Sequence, residues 1–357
     1  MFAQVHRPQA LSPEELDRYL AQGWFRMGQT IFTTSFLNFK GRFYDAVWLR
    51  IHLDKFDGDT TQERLIKKNE AFRVIAQPMV FTVEKEELFM RYRESVSFEA
   101  SPSLSHLLYG KSNENIFQTY ELEVYDNNQL IAVGVFDLGK ESAAGITSFY
   151  DPAYKRFSLG KYLIYLKINY CKVKGLKYFY PGYFVPGYSP FDYKLKIGKS
   201  ALHYYDLHAL KWIQLKSFSY VHTPLQQMHA RLNQLQVMLS SANIQSRIFH
   251  YDFFDANLIP DLMGMEFFDF PVFLFALDLT PEPVQPLVVY DVRDALYRLY
   301  KCVIVWSPDE ETDRVHDQNY SHLLKIQREL CASANPNKII TALLMMKRPI
   351  GENMTNI

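Results

Sequence analysis

The chain has 357 residues, is 48% hydrophobic with 15% aromatics, and balances 39 basic against 39 acidic side chains. That length allows two domains, or one core domain with a substantial extension, and no stretch reaches the roughly 18 uncharged residues of a membrane span. Three scattered cysteines, Cys171, Cys302 and Cys331, argue against a disulfide framework or a zinc site, and the start lacks the basic-then-apolar pattern of a secretory leader, so a reducing, cytoplasmic setting is expected.

Ser12, Pro13 and Glu14-Glu15 predict a helix over 12–22, stopped by Gly23. Alternation from Trp24 to Leu53, clearest in Val47-Trp48-Leu49-Arg50-Ile51-His52-Leu53, predicts strands. Helices are expected over Thr60–Val74, which carries Arg64, Lys67, Lys68 and Arg73, and over Glu84–Ser95. The polar stretch Ser97–Asn115 reads as a loop or lid.

A strand meander follows. Thr119–Tyr125 and Leu130–Asp137 flank Asp126-Asn127-Asn128, a strong hairpin signal, and Gly145–Tyr150 gives a third strand. The next helix, Leu159–Lys174, places Leu159, Tyr162, Leu163, Leu166, Tyr170 and Val173 on one stripe, with Lys161 and Lys172 opposite. Gly175 stops it, and Lys177–Phe184 returns as a strand. Strands, phosphate-type loop, helix and strand follow one another as in GNAT-type acyltransferases.

From about His203 the character changes. A helix is expected over His222–Ser241 with Leu225, Met228, Leu232, Leu235 and Met238 buried, then an aromatic and acidic stretch over Phe249–Leu279 and a proline-rich connector over Pro281–Pro286. Further helices are expected over Asp291–Val303, Asp317–Ala334 and Lys338–Met346. The fold expected is α+β: a GNAT-like, mixed but mainly antiparallel sheet flanked by helices, with a largely helical C-terminal extension. Its expected parts are an N-terminal region 1–115, a GNAT-like core 116–205 and the extension 206–357.

Neutrality overall conceals a basic interval. Lys155, Arg156, Lys161, Lys167, Lys172, Lys174, Lys177, Lys194, Lys196 and Lys199 lie between 155 and 199, with Asp192 the one acid among them. Local patches of this kind bind polyanions, although a solvated lysine-rich helix face has the same composition. The run Lys155-Arg156-Phe157-Ser158-Leu159-Gly160 could hold a phosphate on the first amides of the helix, with Ser158 as its cap and Gly160 allowing close approach. An ordinary capped helix start reads the same way.

Tyr150 and Asp151 end a strand, where Asp151 could accept a proton from an amine and Tyr150 could orient a carbonyl; an Asp-Pro turn is the plain alternative. Tyrosines around Lys194 suit stacking of unpaired bases or simple core packing. His203, His208 and His222 show no metal-ligand spacing, and no Gly-x-Ser-x-Gly, Walker loop or Gly-x-Gly-x-x-Gly occurs.

The blocks then acquire an order. Tyr150-Asp151-Pro152-x-Tyr154, Ser158-Leu159-Gly160-x-Tyr162, Gly175-Leu176-x-Tyr178-x-Tyr180-x-Gly182-Tyr183 and Tyr193-Lys194 resemble the C-terminal signature of the arginyl/leucyl-tRNA–protein transferases. Upstream, Leu20-x-x-Gly23-Trp24-x-Arg26-x-Gly28, Leu49-Arg50-Ile51, Arg64-x-x-Lys67-Lys68-Asn69 and Ile131–Asp137 resemble the same family in the same order. The resemblance covers roughly residues 16 to 205.

It implies an enzyme that moves an amino acid of the arginine or leucine class from charged tRNA to the N-terminal amine of a protein. Its partners would then be aminoacyl-tRNA and proteins with an exposed N-terminal residue, without DNA or membrane. Asp151 and Tyr150 would be catalytic, and Lys155, Arg156, Ser158, Leu159, Gly160, Tyr183, Tyr193 and Lys194 would hold the donor. Arg50, Lys67, Lys68 and Asn69 would add contacts from the N-terminal half. The family usually carries a cysteine cluster where Thr30–Val47 has none, so no metal or other cofactor is expected and aminoacyl-tRNA is the co-substrate. The competing readings are an acyl-CoA-dependent GNAT N-acyltransferase and a non-catalytic relative that binds N-termini or RNA.

Overall fold

A computed structural model describes residues 1–98, 100–112, 114–277, 284–308 and 318–347. The N-terminal segment contributes β1 (Ala3–His6), α1 (Pro13–Ala21), β2 (Phe25–Met27), β3 (Thr30–Thr34), the hairpin β4 (Phe36–Phe39) and β5 (Arg42–Asp45), and β6 (Val47–His52). Helix α1 opens on the expected box: Glu15 donates its amide to Ser12 Oγ at 3.2 Å, and Ser12 donates its amide to Glu15 Oε2 at 2.8 Å.

Helix α2 (Thr60–Lys68) ends six residues short of the expected Val74, with Asn69 as its C-cap, because Arg73 and Val74 belong to β7 (Arg73–Pro78). Next come α3 (Val83–Ser95) and, inside the stretch expected to be a loop, the short α4 (Leu104–Tyr109), capped by Ser103 and closed on Gly110. Leu104 and Leu108 are buried against α3, which is what turns that polar segment helical.

β8 (Thr119–Asp126) and β9 (Gln129–Leu138) form the predicted hairpin, with Asn127 at φ +52° in its two-residue turn. β10 (Ser142–Tyr150) leads through a 3₁₀ turn (Pro152–Phe157) into α5 (Leu159–Val173) and β11 (Tyr178–Phe184). A second 3₁₀ segment (Ser189–Lys196), β12 (Leu202–Asp206) and β13 (Lys211–Gln214) complete an eight-stranded sheet ordered β13-β12-β6-β11-β10-β9-β8-β7. The fold is mixed α+β, with a mainly antiparallel sheet flanked by helices, as read from the sequence. The sheet crosses both expected boundaries: β6 and β7 lie before residue 116, and β13 after 205.

Among the described residues every neighbouring pair in that sheet is antiparallel except β10–β11, which α5 joins as a crossover. Val47, Leu49 and Ile51 face α5, while Trp48 turns to the other side against Phe25 and Tyr180. That two-residue alternation buries both faces, with α5 and α2 on one and α1, α3 and α4 on the other.

The extension differs from the helical expectation. After α6 (Pro224–Ser241) come β14 (Ser246–Tyr251), β15 (Val272–Ala276), β16 (Val284–Asp291), β17 (Leu296–Trp306), β18 (Asn319–Tyr320), β19 (Leu323–Ser333) and α7 (Pro336–Lys347). The sheet order is β18-β14-β15-β16-β17-β19. Two expected helices, Asp291–Val303 and Asp317–Ala334, are strands; Asp317 itself, with Pro281–Pro283 of the connector, lies outside the described residues. Leu296-Tyr297-Arg298-Leu299-Tyr300 alternates and runs into Cys302-Val303-Ile304-Val305-Trp306, a β-branched and aromatic run that fits a pleated surface better than a helix. The helices expected at His222–Ser241 and Lys338–Met346 correspond to α6 and α7.

Phe2 and Phe36 are built into the core of this second sheet. Asp269 is buried and accepts the amides of Phe2 and Ala3, while Asp45, at the end of β5, accepts the Leu225 amide at the start of α6 at 2.9 Å. Beside that seam His229 Nε2 and His250 Nε2 lie 3.3 Å apart, and His250 stacks on Phe43 of β5. Burial holds both imidazoles neutral, with His229 pulled down to about 4.

A lowered folded pKa favours the native state above the unfolded value near 6.5, and that contribution is lost as pH falls toward 4. We therefore expect the contribution of His229 to the unfolding free energy to fall by about 2 kcal/mol between pH 7 and pH 5. His229→Gln should flatten the slope, measured by urea unfolding at the two pH values; equal slopes in both proteins would disprove this assignment.

Candidate functional site

The sheet opens where β10 and β11 part. They pair only from Ser142↔Tyr178 to Ala144↔Tyr180. Immediately beyond, β10 bulges between Gly145 and Thr147, and β11 bulges between Phe179 and Gly182, across Pro181. Proline has no N–H to donate, so a ladder in a central strand breaks at this level. From there β10 stays with β9 as far as Tyr150, and β11 with β6 as far as Phe184, leaving two facing edges that no longer pair with each other.

Two lysines fill the parting. Lys167 reaches in from α5 and donates to Val135 O at 2.9 Å, Thr147 O at 2.7 Å and Ser148 Oγ at 3.0 Å. It crosses β9 over Gly134, where a Cβ would lie 2.8 Å from Lys167 Cε, so only glycine allows the passage. Lys194 enters from the 3₁₀ segment, donates to Tyr183 O at 2.8 Å and lies over the rings of Tyr183 and Phe191. Gly182 stands beside it at φ +87°, and a Cβ there would be 3.3 Å from Lys194 Nζ. Burial pulls both ammonium groups down to about 7.

Tyrosines frame the open end. Tyr150 packs against Tyr92 of α3 with ring centroids 5.2 Å apart, and the phenols of Tyr150 and Tyr193 both act on that of Tyr92. Burial pushes the Tyr193 phenol up to about 12, so it remains neutral at physiological pH.

Asp151 has two engagements: it caps the 3₁₀ turn by accepting the Ala153 amide at 3.0 Å, and it pairs with Arg91 of α3 at 3.7 Å. The Asp-Pro turn that the sequence offers as the plain alternative is therefore formed.

Ser158 does not cap α5. It adopts the left-handed conformation, φ +57° and ψ 40°, and its side chain makes no capping hydrogen bond, so the leading helix amides are not closed by it. Leu159 is fully buried in the core, which leaves its backbone as the part able to face a ligand. A Cβ at Gly160 would meet Tyr150 at 3.5 Å, an ordinary contact, so packing alone does not require glycine there.

Lys155 and Arg156 are exposed on the turn, Lys161 is half-buried one helical turn on, and among the described residues none of the three is in an ion pair. Lys68 donates to Arg156 O, and the buried Asn69 donates to Leu65 O at 2.8 Å and Phe157 O at 3.3 Å. Lys67 is exposed on the same helix. Thus Lys68 and Asn69 prop the basic turn from beneath.

Arg50 is not brought to this place. It lies on the opposite face of the sheet, between the rings of Tyr178 and Trp212, with its guanidinium 3.2 Å from His52 Nε2. Tyr180 is a core residue on that face, and Tyr183 packs edge-on against Trp48.

The sequence reading counted Lys167 only within a basic run. Its position four residues after Leu163 and four before Cys171 puts it on the buried stripe of α5, and that spacing was the available signal. Val173, expected on the stripe, is 87% exposed. Among the described residues no group of three or more His, Cys, Asp or Glu side chains is arranged to hold a metal ion, and no helix is long and apolar enough to cross a membrane.

Comparison with known proteins adds the following. A family model described as arginine-tRNA-protein transferase, C terminus, matches residues 84–203, the segment from α3 to β12 that contains the whole parting. The aspartate/glutamate leucyltransferase of Leptospira interrogans is 31% identical over 193 residues, covering 52% of this chain and 73% of that protein. The enzyme of the same name from Helicobacter hepaticus is 28% identical over 193 residues, covering 52% and 78%. Among solved structures, the ribosomal-protein-S18-alanine N-acetyltransferase of Escherichia coli aligns with 17% identity and a TM-score of 0.23 over 29% of this chain and 63% of that one.

Proposed function

Because the chain belongs to the aminoacyl-tRNA–protein transferase family and is an aminoacyltransferase, we propose that it takes leucine from leucyl-tRNA and joins it to the α-amine of proteins that begin with aspartate or glutamate. One observation supports this reading above the others: a parted sheet lies beside a basic turn whose Lys155 and Arg156, with Lys161, are in no ion pair among the described residues. The turn offers phosphate contacts to the acceptor end, with Lys155, Arg156 and Lys161 as its cations. The parting offers N–H groups to the ester carbonyl and a polar slot for the incoming amine.

An aminoacyl ester is already activated, so the protein's task is to align the amine, polarise the carbonyl and take up one proton. Asp151 and Tyr150 stand at the mouth, where Arg91 gives the acidic side chain of an acceptor an arginine partner.

The test uses the full chain with labelled leucyl-tRNA and arginyl-tRNA, offered to peptides beginning with Asp, Glu, Lys or Met. Leucine should enter the Asp and Glu peptides. Incorporation of arginine instead, or of neither amino acid, would overturn the proposal.

A further inference from the structure

We propose that Lys194 is the general base of the transfer, taking the proton from the attacking α-amine in the parting between β10 and β11. This rests on the reaction assigned above. Among the described residues its Nζ has one hydrogen-bond acceptor, Tyr183 O, so the amine is not saturated by the protein. Gly182 leaves the space in front of it without a side chain.

Lys167 contrasts with it. Three acceptors take all three of its N–H groups, which ties α5 to the parting. A buried lysine and a half-buried one sharing a gap disfavour a second positive charge, and Lys194, with fewer partners, is the one that gives up its proton. The ionisable groups around Lys194 are Lys167 from α5, Tyr183 from β11 and Tyr193 beside it; Asp137 and Cys171 act on Lys167. Burial accounts for its lowered pKa of about 7, with no carboxylate counteracting it.

The step balances within the site. The amine nitrogen forms the C–N bond at the ester carbonyl, and its proton passes to Lys194 Nζ. The carbonyl oxygen gathers negative charge against the backbone amides of the parted edges. Collapse breaks the bond to the ribose oxygen, which receives the proton back from Lys194. Asp151 keeps its place as cap of the turn and partner of Arg91.

The experiment compares the full-length protein with Lys194→Met and Lys194→Arg in single-turnover transfer from leucyl-tRNA across pH 5.5 to 9. Binding of uncharged tRNA and thermal melting are measured in parallel. Both variants should lose roughly 100- to 1,000-fold in rate at saturating tRNA, keep tRNA affinity within about twofold, and lose the acid limb centred near 7. A rate within tenfold of the parent, an intact acid limb, or loss of tRNA affinity matching the loss of rate would overturn the proposal.

A readout without turnover separates it from the reaction itself. Labelling by an amine-selective reagent, followed residue by residue by mass spectrometry, should give Lys194 a midpoint near 7, against about 10 for an ordinary solvated lysine. If Lys194 titrates near 10, the base assignment fails even where transfer is observed. If the parent transfers nothing while Lys194 titrates near 7, the reaction assignment fails, and Lys194's role in it falls too.

Discussion

Replacing Lys155, Arg156 and Lys161 together with glutamine is expected to weaken tRNA binding about 100-fold at 0.15 M salt. A phosphate contact releases about 0.9 counterion, which makes each worth roughly fivefold at that salt relative to 1 M; three contacts multiply to about two orders of magnitude. The side chains suit the part, because none is held by a carboxylate among the described residues. Their backbone is fixed from beneath by Lys68 and by Asn69, whose amide reaches Phe157 O. The substitutions therefore remove charge and leave the turn in place.

The measurement is tRNA affinity from 50 to 300 mM salt. The slope of log affinity against log salt should fall by about 3, and thermal stability should hold within about 1 kcal/mol, the range of surface changes. An unchanged slope would place the tRNA elsewhere on the protein.

Lys85→Met is expected to cost about 3–5 kcal/mol of stability at pH 7. Lys85 Nζ lies 2.6 Å from Glu121 Oε1 and 2.8 Å from Glu123 Oε1, and it donates to Val80 O at 2.7 Å. The three side chains are 3%, 0% and 6% exposed, so removing the lysine leaves two carboxylates facing each other out of water. Gln77 Nε2 and the Val80 amide also donate to Glu121, and the Tyr125 hydroxyl to Glu123, but none of these carries a charge.

Urea unfolding reads the effect. Adding Glu121→Gln and Glu123→Gln to Lys85→Met should restore most of the loss, because the uncompensated charges go with the lysine. A single variant within 1 kcal/mol of the parent would show that the triad is not a principal tie. The same cluster fixes the first turn of α3 to β8, and the last turns of α3 carry Arg91 and Tyr92 to the mouth of the parting. Transfer activity should decline along with stability.

Local chemistry made much of this protein readable in advance. Ser12 and Glu15 name a capping box on sight, and Asn127-Asn128 names a two-residue turn, because each is settled by residues a few positions apart. The family signature is local in the same way: Tyr150 through Lys194 spans the basic turn, β11 and the segment that carries Lys194. Ser158 misled, because serine before a helix usually caps it, whereas here the tight exit from the 3₁₀ turn forces it left-handed. The C-terminal half misled further. Short helical spacings around Leu296–Leu299 coexist with alternation, and only a neighbouring strand decides between them; β17 has one on each side.

Composition, the hairpin, α1, α5 and the ordered blocks were determined by the sequence itself, through interactions that stay within one turn or one strand. The tertiary structure decided which charges are buried. Lysines and glutamates are ordinarily surface residues, and nothing local reveals that Lys85 meets Glu121 across 36 positions, or that Lys167 and Lys194 enter one gap. Desolvation belongs to an assembled core, because it depends on what the neighbouring elements exclude. The parting that gives Lys194 its role arises only when β10 and β11, joined by α5, bulge at the same level of one sheet.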